Sequence, residues 1–124
     1  KGGKSIRLRV ANTHLNQPPE QQPGRGRYQQ VIEIMKHCLG EDEVFIIAGD
    51  FNATPPGTTF GTSCETYSQV SDYLSDAWTS MNGVGDPNKD GLTWDQETNP
   101  MCSSAMNSIF YGHKMCWRCD YIFW

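Results

Sequence analysis

Two apolar, strand-like runs separated by a helix-like segment place the strongest constraint on the fold of this chain. The first run, residues 5–11, alternates apolar with basic side chains, which is typical of a strand with one covered face. The second run, residues 44–48, is continuously apolar and favours a strand buried on both faces. Between them apolar residues recur at helical spacing, and Gly40 is placed to end the helix. The sequence therefore predicts a strand, a helix and a strand.

Polar residues stand where these strand-like runs end. His14 follows the first run, and Asp50 and Asn52 follow the second. A crossover of this length permits the two strands to lie parallel, and such connections are nearly always right-handed. Parallel strands finish at the same edge of a sheet, where open α/β sheets usually place their ligand sites. We therefore expect His14, Asp50 and Asn52 to converge, joined by Asp120 if a final strand, residues 121–124, runs antiparallel.

An imidazole, a carboxylate and a carboxamide in one place suit the hydrolysis of a phosphoester. Attack by water needs a base, neutralisation of charge on the phosphoryl oxygens, and a proton or a metal for the leaving oxygen. Asp50 is the predicted base or water-orienting group, Asn52 a donor to a phosphoryl oxygen, and His14 a donor to phosphate or an acid. Structural interpretations stay open, because Asp50 with Asn52 also suits an Asx turn and Asp120 the start of a strand.

The charge balance limits the kinds of partner that the chain can bind. A formal net charge of −4 and a pI near 5.2 argue against a broad electrostatic grip on nucleic acid. They do not exclude a phosphoesterase, since a bound divalent cation neutralises substrate phosphate locally. No apolar run is long enough to span a bilayer, so no membrane span is predicted. The odd number of cysteines, five, favours a reducing compartment and hence an intracellular location.

Further motifs make the chain resemble the endonuclease/exonuclease/phosphatase superfamily, which has the deoxyribonuclease-I-like fold. In chain order the motifs are Thr13-His14-Leu15, Arg27 with Gln30 in an R-x-x-Q arrangement, Gly49-Asp50-Phe51-Asn52-Ala53-Thr54-Pro55, Asp76-Ala77-Trp78, Gly91-Leu92-Thr93-Trp94 and Arg118-Cys119-Asp120-Tyr121-Ile122-Phe123. The GDFN group is the most specific of them, and their order and spacing make the resemblance strong. Arg27 and Gln30 are expected to support the site rather than touch substrate.

The resemblance implies an α/β fold of the α+β type, namely a four-layer αββα sandwich. The family domain is roughly twice as long as this chain, so residues 1–124 are expected to form the C-terminal portion of a single domain, with one mixed sheet and its outer helices. The first half of the family domain, which carries a metal-binding Glu, and the closing Ser-Asp-His motif have no counterpart here. The inner face of the sheet is therefore expected to need the N-terminal half, a complementary chain or a second copy.

The resemblance also implies a phosphoesterase that depends on Mg²⁺ or Mn²⁺. It assigns His14, Asp50 and Asn52 to the active site, and Asp120 to the carboxylate that orients the closing histidine. Asp50 and Asn52 are possible metal ligands, with the main ligand expected outside this chain. Trp94 matches a region that lines the substrate cleft. The substrate class is undecided among nucleic acid, inositol phosphates and phospholipids.

Two other functions stay open. One is a catalytically inactive binding module that retains the fold. The other is a zinc-supported domain centred on Cys116 and Cys119, with Cys102 and His113 as further candidate ligands, because cysteine and histidine are good ligands for a tetrahedral ion.

Overall fold

The structure is a computed structural model, and it describes residues 5–16, 25–38, 43–59, 61, 64–105 and 114–124. Its elements combine helices with two small sheets, which confirms the predicted mixed α/β class. In chain order they are β1 (Arg7–His14), α1 (Arg25–Cys38), β2 (Glu43–Asp50), α2 (Cys64–Ser71), α3 (Ala77–Asn82), β3 (Trp94–Asp95), α4 (Pro100–Ala105), β4 (Cys116–Trp117) and β5 (Asp120–Phe123). None of the described helices is long and apolar enough to cross a membrane.

The main sheet has three strands in the order β1-β2-β5, with β2 in the centre. Strands β1 and β2 are parallel and paired over their whole length, from Arg7 opposite Glu43 to His14 opposite Asp50. Strand β5 runs antiparallel to β2, with Asp120 opposite Asp50. The predicted strand, helix and strand are therefore confirmed, as are their parallel pairing and the antiparallel final strand. The predicted helix end at Gly40 lies outside the described residues.

The core lies on the face of this sheet that the helices cover. Phe51 is fully buried at its centre, with its ring 5.3 Å from the ring of Phe123 and 5.7 Å from that of Tyr121. Edge-to-face packing of this kind adds to the free energy gained by burying apolar surface. The other buried members of this cluster come from strands, from helices and from the loops that follow them: Leu15, Val31, Phe45, Ile47, Ala53, Val70 and Leu74.

The opposite face of the sheet is apolar and open. Ile6, Leu8 and Val10 are 74%, 58% and 65% exposed, and Ile122 on β5 and Trp124 directly after it are 53% and 58% exposed. The alternation in β1 correctly indicated a strand, but no part of the chain that the structure describes covers its apolar side. The reason is that the described helices pack on the other face, where Phe45 and Ile47 of β2 are buried. We call the exposed side the open face.

A glycine fixes the position of an aromatic side chain beside the sheet. Gly91 has a φ of 67°, a conformation that side chains other than glycine rarely adopt. A Cβ atom added there would lie 2.7 Å from Cε2 of Trp78. Only glycine at position 91 therefore leaves room for the indole ring.

Replacing Gly91 with alanine is expected to lower the free energy of unfolding by about 2–4 kcal/mol, because backbone strain adds to the clash with Trp78. Two matched variants separate the causes. Gly83→Ala puts alanine at a φ of 81° and a ψ of 179°, a region that is essentially restricted to glycine, but no atom lies within 4 Å of the added Cβ, so backbone strain alone should cost about 1–3 kcal/mol. Gly26→Ala, in open space on α1, should be neutral or slightly stabilising. Urea denaturation checks all three, and equal losses for Gly91→Ala and Gly83→Ala would exclude the clash.

Candidate active site

Three of the predicted site residues stand side by side across one end of the main sheet. His14 pairs with Asp50, and Asp50 pairs with Asp120. Directly paired residues of neighbouring strands point to the same face, so the three side chains share one face of the sheet. The Nε2 atom of His14 lies 3.4 Å from Oδ2 of Asp50, with the two side chains 74% and 32% exposed. We call His14, Asp50 and Asp120 the polar row.

Asn52 does not belong to the polar row. Its side chain is buried, and its Nδ2 group donates a hydrogen bond of 2.6 Å to the carbonyl of Leu15. Its backbone N–H donates to Oδ1 of Asp50 at 2.7 Å, and its φ is 47°, in the left-handed region. Asn52 thus ties the loop after β2 to the loop after β1, in the Asx turn that Asp50 and Asn52 also suited. Its donation to a phosphoryl oxygen stays a prediction.

Helix α1 holds both strand-end loops through two side chains on one of its faces. Arg27 is 2% exposed and donates from NH1 to the carbonyl of Asn52. Gln30, one helical turn later, accepts a hydrogen bond of 3.0 Å from the backbone N–H of Asn16. Burial lowers the pKa of Arg27, although the nearby Cys119 and Asp50 oppose this effect. The R-x-x-Q spacing was the sequence signal for this pair, but it did not reveal which loops the pair holds.

The start of β5 is fixed by a hydroxyl group and by a backbone hydrogen bond to Phe51. Thr93 Oγ1 accepts hydrogen bonds from the backbone N–H groups of Cys119 and Asp120, at 3.0 and 3.2 Å. The carbonyl of Cys119 accepts one from the N–H of Phe51 at 2.8 Å. Burial, together with the carboxylates of Asp50 and Asp120, raises the pKa of the Cys119 thiol to about 12. A protonated, apolar thiol therefore lies close to the polar row.

A buried ion pair supports the other side of β5. Arg118 NH2 lies 3.0 Å from Oδ2 of Asp76, and both side chains are at most 5% exposed. The guanidinium group also lies over the ring of Trp78, 4.7 Å from its centroid. Tyr67 donates to the same Asp76 oxygen at 2.9 Å, and burial followed by this hydrogen bond raises the pKa of Tyr67 to about 12. Asp76 also caps α3 by accepting from the N–H of Trp78, so the pair fixes α3 against the sheet.

A depression of about 510 Å³ opens next to Asp120, between α3 and the open face. Its walls are mostly apolar, with Ala48, Met81 and Ile122 among them, and Asp120 is one of its polar lining residues. The polar row thus borders an apolar surface on the side of β5.

Trp94 lies apart from the polar row, in the separate two-stranded sheet. It is half-buried and pairs with Trp117 across β3 and β4. The neighbouring Thr93, rather than Trp94, is the residue of this motif that contacts the backbone of Asp120. The expected contact between Trp94 and substrate stays a prediction.

Two members of the polar row, Asp50 and Asp120, offer the oxygen ligands that Mg²⁺ prefers. This ion takes oxygen ligands and is usually held by one or two carboxylates together with waters and substrate phosphates. Asp50 and Asp120 are directly paired, and their side chains are on the same face. Among the described residues, no group of three or more His, Cys, Asp or Glu side chains is placed to hold a metal. Asp50 and Asp120 are the members of the row whose oxygen atoms could hold such an ion.

The candidate zinc ligands are not brought together in the described part of the chain. Cys116 Sγ lies 3.4 Å from Oδ1 of Asp95, while Cys119 is buried beside the polar row. His113 lies outside the described residues. Burial raises the pKa of both Cys116 and Cys119.

An acidic turn follows α3. Asp86, Asn88, Asp90 and Gly91 have the spacing of a calcium-binding loop, with Glu97 at the twelfth position. In the structure Asp86 Oδ2 lies 3.0 Å from Nζ of Lys89, and Asp90 Oδ2 accepts from the N–H of Asp86 at 2.8 Å. Both contacts lie within the turn itself.

Comparison with models of protein families gives a match over nearly the whole chain. The model of the family described as Endonuclease/Exonuclease/phosphatase family matches residues 2–124. No significant match was found among curated proteins or among solved structures.

Cys119 is expected to react with iodoacetamide at pH 8 at least about 100-fold more slowly than the exposed Cys64, because the thiolate is the reactive form and a pKa near 12 leaves little of it. Peptide mapping by mass spectrometry over time measures both rates. In urea, which removes the burial, the two rates should become similar. Equal rates in the folded protein would show that Cys119 is not buried as described.

Proposed function

The chain belongs to the endonuclease/exonuclease/phosphatase family, and from this premise we propose that it is part of a metal-dependent phosphoesterase. In this proposal, activated water hydrolyses a phosphodiester or a phosphomonoester bond. The observation that carries the proposal is the polar row, in which a histidine and two aspartates from three strands share one face. Three substrate classes agree with it: nucleic acid, inositol phosphates and phospholipids.

Asp50 and His14 have complementary roles in this reaction. The hydrogen bond from the N–H of Asn52 fixes Oδ1 of Asp50, while Oδ2 lies 3.4 Å from the His14 ring. A carboxylate held in this way orients a water molecule and accepts its proton. His14 is 74% exposed, so it is accessible to donate a hydrogen bond to a phosphoryl oxygen or a proton to the leaving oxygen.

Asp120 has a different role in the proposal. It stands next to Asp50 in the row, and the family resemblance assigns its carboxylate to the orientation of a closing histidine. We propose that this histidine is supplied by sequence beyond the described residues. The bonds from Thr93 to the backbone of Cys119 and Asp120 support this role, because they fix the start of β5.

We propose Mg²⁺ or Mn²⁺ as the cofactor, with Asp50 and Asn52 as possible ligands on this chain and the main ligand outside it. Asp120 offers a further carboxylate on the same face. When bound, such an ion neutralises the charge on the phosphoryl group. Because Nδ2 of Asn52 is bonded to Leu15, any ligation by Asn52 must use its other side-chain atom.

The open face supports the proposal that a complementary segment, such as the N-terminal half of the family domain, packs on this sheet. A contiguous apolar patch on a protein surface usually marks an interaction site. The exposed residues on this face come from all three strands: Ile6, Leu8, Val10, Val44, Ile122 and Trp124.

Asp50→Asn is expected to lower kcat by about 10²–10⁴-fold, because it removes the base and keeps the size of the side chain. The assay follows Mg²⁺-dependent hydrolysis of bis(p-nitrophenyl) phosphate and of p-nitrophenyl phosphate by the chain together with its complementary segment. Asp72→Asn, which changes an exposed carboxylate at the end of α2, is the matched control and should leave kcat unchanged. EDTA should abolish the wild-type activity.

Hydrolysis that persists in Asp50→Asn would overturn the proposal. A different outcome would identify the inactive binding module. In that case neither ester is cleaved, but Asp50→Asn still binds a nucleic acid, an inositol phosphate or a phospholipid without Mg²⁺. Hydrolysis by the proposed enzyme requires both Mg²⁺ and the Asp50 carboxylate, whereas binding by the inactive module requires neither.

The double variant Leu8→Thr with Val10→Thr is expected to reduce self-association and dye binding by the isolated chain, because it removes apolar area from the open face. Threonine has the β-branched shape that suits a strand. The matched control, Tyr73→Thr with Val84→Thr, changes two exposed apolar residues elsewhere and should have little effect. Sedimentation velocity and binding of anilinonaphthalene sulfonate provide the measurements. A monodisperse wild-type chain that binds no dye would contradict the proposed complementary segment.

A further inference from the structure

Arg27 occupies a position that is unfavourable for a cation in two respects. It lies in the first turn of α1, where the helix dipole favours negative charge, and this turn contains no acidic residue. It is also only 2% exposed. Burying a charged group costs free energy unless the group is paired and hydrogen-bonded. The contacts of Arg27 must therefore offset both costs.

The contact that the site depends on runs from Arg27 to the carbonyl of Asn52. Asn52 has a φ of 47°, a conformation that asparagine tolerates but that costs free energy relative to extended backbone. A buried hydrogen bond from a charged donor is stronger than one between neutral groups. Arg27 therefore stabilises Asn52 in its left-handed conformation.

Asn52 transmits this restraint to Asp50. Its N–H donates to Oδ1 of Asp50 at 2.7 Å, and its Nδ2 group donates to the carbonyl of Leu15 at 2.6 Å. Any rotation of the Asn52 backbone would therefore change the direction of the Asp50 carboxylate. With Oδ1 held, Oδ2 is the oxygen that faces His14.

We propose that Arg27 is a positioning residue: by holding the carbonyl of Asn52, it fixes the Asp50 carboxylate in the orientation that meets His14. This inference rests on the proposed function, because it names what orients the proposed base. Arg27 acts through Asn52, and Gln30 restrains the neighbouring loop after β1 in the same way.

The test compares Arg27→Met, which removes both the charge and the donor, with Arg27→Lys, which keeps a charged donor. Arg27→Met is expected to lower kcat by about 10–100-fold while KM changes by less than about twofold, as is usual when a group that orients a reacting residue is lost. Arg27→Lys should recover most of this loss. Arg9→Met, the same substitution at an exposed arginine, is the matched control and should leave kcat unchanged.

A second readout does not depend on activity. In nuclear magnetic resonance spectra of the folded chain, Arg27→Met should shift the backbone amide resonance of Asn52, whose N–H is bonded to Asp50. The amide resonance of Asp72, whose N–H donates to the carbonyl of Ser68 just after α2, should not shift. Arg27→Lys should give a smaller shift at Asn52 than Arg27→Met.

The two readouts separate failure of this inference from failure of the proposed function. If Asp50→Asn abolishes hydrolysis but folded Arg27→Met retains the wild-type kcat, the role of Arg27 is overturned and the function stands. If no variant shows hydrolysis, an unshifted Asn52 amide overturns the role of Arg27, and a selective shift supports it. A loss of kcat without a shift at Asn52 also overturns it. If Arg27→Met does not fold, Arg27→Lys provides the test. A loss of kcat of more than tenfold with no shift of the Asn52 amide resonance would then overturn the proposal.

Discussion

The parallel pairing of β1 with β2 is the constraint on which the rest of the structure depends. It brings the ends of two strands that are distant in sequence to one edge and sets His14 opposite Asp50. The pairing of β2 with β5 then adds Asp120 to the same row. Because side chains alternate along a strand, a slip of one residue would move His14 to the helix-covered face. The polar row and the buried core are therefore fixed by the same register.

Much of this framework was predictable from the order and period of the apolar residues. The alternation in residues 5–11 and the apolar run 44–48 located both strands, and the helical spacing between them favoured a parallel crossover. The face of the sheet that the helices cover was not predictable in this way. Alternation shows that the two sides of β1 differ, but it does not show which side the helices occupy. In the part of the chain that the structure describes, Phe45 and Ile47 are buried on the side of the helices, and the apolar side of β1 is left open.

The roles within the site were harder to predict, for a physical reason. A sequence gives the type of a side chain, but its hydrogen-bond partners are often backbone carbonyls whose positions depend on the complete fold. Asn52 was grouped with Asp50 by spacing, yet its amide bonds the carbonyl of Leu15 inside the protein. Arg27 was expected to support the site, but only its burial and its bond to Asn52 show how. Trp94, chosen by motif, lies in the other sheet.

Strand β1 has a strand partner on one side only within the described sheet. An unpaired strand edge offers free backbone donors and acceptors to a foreign strand and so risks uncontrolled polymerisation. Arg7 and Arg9 are exposed along this strand, and Arg9 reaches the carbonyl of His37 at the end of α1. Two like charges repel the same pair on an approaching copy, which discourages strand addition at this margin of the sheet.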